Sequence, residues 1–128
     1  MHTFVVREIS DHLLIGLDVI LERLAFVEIT VWVFRDVTLH VGHPLGLTVV
    51  EFERLSREPG GLRVPASAIA QVTPPEFQMI DGEIDGYTDE AEEHPLLRIE
   101  CLDASQWEIT TDSSQLAAEL ERRRFLKV

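Results

Sequence analysis

An α+β fold is predicted: one domain over residues 1–128, built as an antiparallel sheet of about five to seven strands with a C-terminal helix packed on it. Three observations predict it. Several short segments alternate apolar and polar residues, or are rich in β-branched and aromatic types, with turn residues between them. Residues 96–102 (LLRIECL) and 106–111 (QWEITT) are separated only by Asp103-Ala104-Ser105, the pattern of a β-hairpin. The chain then passes into a segment with Leu116, Ala117 and Leu120 at helical spacing.

Taken in order, residues 3–9 (TFVVREI) have the composition of a first strand. Residues 16–24 (GLDVILERL) put Leu17, Ile20, Leu21 and Leu24 at helical spacing. Residues 25–34 (AFVEITVWVF) read as the clearest strand, with Val27, Ile29, Val31 and Val33 on one side and Phe26, Thr30, Trp32 and Phe34 on the other. Apolar residues on both sides suit a central strand covered in part on both faces. Residues 37–41 alternate again, Gly42 to Gly46 with Pro44 reads as a turn, and 47–55 (LTVVEFERL) reads as the returning strand. Glu58-Pro59-Gly60-Gly61 is a turn. Residues 62–64 form a short strand, and Pro65-Ala66-Ser67 begins a helix of one or two turns that Pro74-Pro75 stops.

In the hairpin, Leu97, Ile99 and Cys101 share one face, and Trp107 and Ile109 supply its partner. Asp112 with Gln115 is the capping pair for the last helix, and Arg124 or Phe125 extends its inward stripe. Arg122-Arg123-Arg124 falls in the last turn, where cations complement the helix dipole. Strand, short turn, strand and closing helix over residues 96–125 resemble the end of a pleckstrin-homology-like barrel.

The charge is one-sided. Twenty-three acids against 11 bases give a formal net charge of -12. Duplex DNA and anionic membranes repel such a surface, which excludes both as expected partners and leaves a cationic protein as the electrostatic match. The chain has 128 residues, 45% of them hydrophobic, enough for a core without a disulfide or metal. Cys101 is the only cysteine, so no internal disulfide is available; a reducing, cytoplasmic location is expected. The opening MHTFVVREISDH lacks the pattern of a signal peptide, and Glu28, Arg35 and Asp36 interrupt the longest apolar stretches.

The acid is concentrated. Asp81, Glu83, Asp85, Asp89, Glu90, Glu92 and Glu93 lie within DGEIDGYTDEAEE, Asp81 to Glu93, with two glycines, so an exposed loop is expected. Asp81, Glu83, Asp85, Gly86, Asp89 and Glu92 match the spacing of a calcium loop. Glu at the third position, Thr88 at the eighth and prolines on both flanks depart from that motif. A docking loop for a cationic partner and a plain solvated loop remain, equal on the sequence.

Other constellations are sparser. His40 and His43 form an H-x-x-H pair near Asp36, without the further ligands a metal site needs. Cys101 reads as a buried, inert thiol, and Ser67, Ser105, Ser113 and Ser114 fall in turn or cap contexts. Glu51 and Glu53 would share a strand face. No phosphate-binding glycine motif is present, and no cofactor or metal is expected.

The sequence therefore points to a non-enzymatic acidic binding protein that recognises a basic partner through Asp81, Glu83, Asp85, Asp89, Glu90, Glu92 and Glu93. In general character the chain resembles the immunity (antidote) proteins that bacteria make against secreted toxins, and that resemblance implies a toxin as the partner. Two other classes compete. One is a small enzyme or ligand-binding barrel with a site built from His40, Glu51 and Glu53. The other is a subunit of a larger assembly, with Trp32 or Phe34 exposed as an apolar patch.

Overall fold

The computed structural model describes residues 1–7, 16–41, 46–72, 78–102 and 106–128. The elements run β1 (His2–Arg7), α1 (Leu17–Arg23), β2 (Val31–Val41), α2 (Val49–Arg57), β3 (Leu62–Pro65), a 3-10 turn (Ala66–Ala68), α3 (Ile69–Val72), β4 (Gln78–Tyr87), β5 (Leu97–Leu102), β6 (Gln106–Thr111), α4 (Ser114–Arg122) and β7 (Leu126–Lys127). The strands form one antiparallel sheet in the order β3-β2-β4-β5-β6-β1-β7. The α+β class and the sheet with its closing helix are as the sequence predicts. The barrel is not closed: among the described residues β3 and β7 end the strand order, and the sheet is open.

One face of the sheet carries the core. Phe4, Val6, Trp32, Phe34, Val64, Ile84, Leu97, Ile99, Cys101, Trp107 and Ile109 pack there with Leu17, Ile20 and Leu24 of the α1 segment, Phe52 of α2 and Leu116, Ala117 and Leu120 of α4. Alternation along each strand forces this division, because opposed residues across an antiparallel pair share a face. Trp32 and Phe34 point to the helices and are buried, so the apolar patch considered for a larger assembly does not form. Phe34 meets Phe52 edge to face, with centroids 5.3 Å apart. The opposite face carries only a small apolar cluster, Val31, Val33 and Tyr87, to which no described helix contributes.

Four expectations are corrected. Residues 25–30 precede the strand, and 31–41 form one strand interrupted at Asp36, whose φ of 51° accompanies a register shift between Arg35 and Thr38. Residues 49–57 are helix α2, not a returning strand. Thr48 accepts from the Glu51 amide and Glu51 accepts from the Thr48 amide, a capping box that nucleates the helix, and Phe52 and Ser56 are buried one turn apart.

The last helix is capped by Ser113, which accepts from the Leu116 amide at 3.1 Å; Asp112 stands just outside it. Helix α4 ends at Arg122, and Arg124 at φ 68° turns the chain so that Phe125 is buried and β7 returns along β1. Finally, the first half of the acid run is strand β4 rather than loop. The hairpin, the α1 helix, the 62–64 strand and the buried Cys101 agree with expectation. The Gly42 to Gly46 turn and Pro74-Pro75 fall wholly or mostly outside the described residues.

Candidate functional site

The acid run divides at Tyr87. Its glycines, which suggest a loop, serve close packing within β4. Gly82 has φ 146°, and a Cβ there would lie 2.9 Å from the Val37 Cα; at Gly86 it would lie 2.9 Å from the Trp32 ring. The strand can therefore approach β2 only with glycine at both positions.

Alternation then sends Asp81, Glu83 and Asp85 to the open face. Asp85 is 1% exposed and is held by two arginines. Arg98 donates through Nε to Oδ1 at 2.7 Å and through Nη2 to Oδ2 at 3.2 Å; Arg35 donates through Nε to Oδ2 at 3.1 Å. Arg35 also reaches the Tyr87 hydroxyl at 3.3 Å, and Arg98 lies 3.7 Å from Glu83. The bond to Asp85 is the main cause holding the Arg98 guanidinium above its usual pKa. Asp85 is thus a structural ion, enclosed by its partners and closed to a docking protein. Asp81 is exposed, and Glu83 is half-buried.

Next to this pair lies a row of like charges. Glu83 on β4 is opposite Glu100 on β5, and Glu100 is opposite Glu108 on β6. Directly opposed carboxylates sit about 5 Å apart at Cβ and destabilise one another. Burial holds the Glu100 carboxyl above the usual range, Glu83 and Glu108 raise it further, and Arg98 opposes them without cancelling the shift.

The second half of the run is a structured turn. Leu96 donates its amide to the Gly86 carbonyl at 2.8 Å, closing the turn at the end of β4. Thr30 Oγ1 donates to the Thr88 carbonyl at 2.6 Å, Thr88 Oγ1 donates to Glu92 at 2.9 Å, and the Asp89 side chain accepts from the Ala91 amide at 2.9 Å. Asp89, Glu90, Glu92 and Glu93 are all exposed. Among the described residues, none of the four has a basic partner within ion-pair distance, whereas Asp85 has two.

Two furrows border this turn. One, of about 400 Å³, runs between α4 and the segment before β2, over Phe26, Val27, Leu96 and Leu116. The other, of about 210 Å³, shares Leu96 and is also lined by His94, Pro95, Thr111 and Asp112. Arg123 covers the Phe26 ring at 3.9 Å and donates to Glu119 at 2.9 Å. Arg122 also pairs with Glu119, and these two arginines hold that carboxyl below its usual range, Arg122 being the larger cause.

Glu51 and Glu53 do not form the strand face expected of them. Glu51 is spent on the α2 cap, and Glu53 accepts from the Leu39 amide at 2.9 Å. Both lie on a helix, so they do not share a strand face with His40, which is exposed on β2. His43 lies outside the described residues. Among the described residues, no group of three or more His, Cys, Asp or Glu is placed to hold a metal ion, and no helix is long and apolar enough to cross a membrane.

Sequence reasoning missed Glu100 and Glu108. The signal was present: a hairpin symmetric about residue 104 pairs 102 with 106 and therefore 100 with 108, both at the polar positions of their strands. Arg98 and Arg35 as partners of Asp85 required the β2-β4-β5 order, which no local pattern encodes. In comparison with known proteins, the chain matches no family model, no curated protein and no solved structure.

Proposed function

We propose that this is a non-enzymatic acidic binding protein for a cationic protein partner, engaged through the turn carboxylates Asp89, Glu90, Glu92 and Glu93, with Asp81 and Glu83 on the neighbouring strand face. The observation that carries this reading is the unequal pairing within one acid run. Asp85 is neutralised by two arginines, while the four turn carboxylates have no basic partner among the described residues. Uncompensated like charge on a short structured turn repels itself, and a basic surface relieves that repulsion and is steered toward it. Small size, a net charge of -12 and an α+β fold also suit an immunity protein that blocks a basic toxin in the cytoplasm.

The experiment is a binding titration against the basic protein recovered from the source cell, at ionic strengths of about 0.01 M and about 0.15 M, over which the Debye length falls from about 30 to about 8 Å. Affinity is expected to drop steeply with salt. The combined substitutions D89N, E90Q, E92Q and E93Q are expected to abolish binding and leave the fold intact. Salt-independent binding, or full affinity in the quadruple variant, would overturn the reading.

A further inference from the structure

We infer that α2 is a hinged strap over the outer edge of β2, and that its displacement opens this edge to the same strand of a second copy. β3 pairs with β2 only from Val31 to Phe34, so among the described residues no strand lies beside Val37 to Leu39 on that side. Side chains of α2 take its place. Ser56 Oγ accepts from the Val37 amide at 3.0 Å, Glu53 accepts from the Leu39 amide at 2.9 Å, and Arg57 donates to Thr38 Oγ1 at 3.3 Å. Amides two residues apart on one side of a strand are those that a neighbouring strand would satisfy. Phe52, edge to face on Phe34, fastens the middle of the helix.

The ends of α2 are free to turn. Gly46 and Gly60 have φ of 71° and 89°, and a Cβ at either would meet nothing within 4 Å. Rotation there moves the helix without pushing on a neighbour. At Gly61 a Cβ would lie 2.8 Å from the Phe34 carbonyl oxygen, so the chain is fixed to β2 again from that point. The uncovered edge suits a second copy. Val37, Thr38, Leu39 and His40 carry no formal charge in a chain of net charge -12, so these positions bring no carboxylates into opposition at the seam. Identical antiparallel strands are self-complementary about a two-fold axis. An uncharged run rich in β-branched residues, without glycine or proline, is also the composition that pairs edge to edge.

Glu53→Ala and Ser56→Ala, made together in the full chain, remove both acceptors and leave a good helix former at each position. Each loss should raise the open population roughly tenfold. Trypsin reads that population: cleavage after Arg54, within α2, should accelerate accordingly, while cleavage after Arg98, within β5, should not. Sedimentation velocity should show the parent as a monomer and the double variant as a dimer whose fraction rises with concentration, since association takes two open copies. His40→Lys added to the double variant brings a cation from each copy to the seam, and should restore the monomer with fast cleavage after Arg54 retained. Unchanged cleavage after Arg54, or equal acceleration after Arg98, would overturn the strap. A double variant that stays monomeric, or a dimer that His40→Lys leaves intact, would overturn the second copy as its occupant.

Discussion

Replacing Asp85 by asparagine keeps the shape of the side chain and removes the carboxylate that Arg35 and Arg98 share, leaving Arg98 with Glu83 at 3.7 Å. Removing one member of a fully buried ion pair costs about 3–5 kcal/mol, because the remaining charge is left without compensation. Here the carboxylate is 1% exposed, but Arg35 and Arg98 are 30% and 43% exposed, so water recovers part of the loss. Three charge-assisted hydrogen bonds are weakened at once. The expected cost is therefore about 2–3 kcal/mol, or a melting temperature lower by roughly 10 °C for a domain of this length. Urea denaturation of the two proteins measures it, and the m-value should not change, since the surface exposed on unfolding is the same. A loss below about 1 kcal/mol, the value of an exposed pair, would refute the argument that Asp85 is a structural ion. It would return this residue to the docking surface.

The row of carboxylates gives the opposite sign. Glu100→Gln should stabilise the protein at neutral pH by about 0.5 kcal/mol, since it relieves two opposed pairs at the expense of one attraction to Arg98. A carboxyl raised on folding binds more protons in the native state, so stability falls as pH rises from its unfolded value through its folded one. The gain from E100Q should accordingly vanish below about pH 4, where the unfolded carboxyl is protonated too, and thermal melts across pH check this. Ser56→Ala should cost about 1–3 kcal/mol in chemical denaturation, because the buried Val37 amide loses its acceptor. Gly82→Ala should destabilise by about 1–3 kcal/mol, since β4 holds it at φ 146° against Val37; a melting temperature equal to the parent's would contradict that packing.

The C-terminal third was legible because its signals are local. A short polar spacer sets the hairpin register, and Leu116, Ala117 and Leu120 mark the inward face of α4 without reference to the rest of the chain. Helix α2 was illegible for a specific reason. Val49, Val50 and Phe52 carry strand propensity, and the capping box at Thr48 and Glu51 overrides it; the T-x-x-E spacing was the better guide. In the acid run, composition alone suggested a loop, yet Ile84 and Tyr87 are buried on opposite faces of a strand between β2 and β5. The glycines there are required by a neighbour distant in sequence, and that kind of constraint leaves no periodic trace. The exposure of the turn carboxylates could be foreseen from charge; the neutralisation of Asp85 could not, since its partners are 50 and 13 residues away.

The contact between α2 and β2 also has a bearing on the order in which this chain becomes structured. Beyond Phe34, β3 no longer pairs with β2, and two amides on that edge, Val37 and Leu39, are satisfied by side chains of α2, Ser56 and Glu53. Their protection from solvent hydrogen exchange therefore depends on a docked helix rather than on a neighbouring strand. Release of α2 alone would free both amides and lay open a strand edge of the kind that recruits other chains, while the hairpin of β5 and β6 stayed paired. Exchange at Val37 and Leu39 that is faster than at Ile99 and Ile109, and equal between the two, would identify that opening as a single local event.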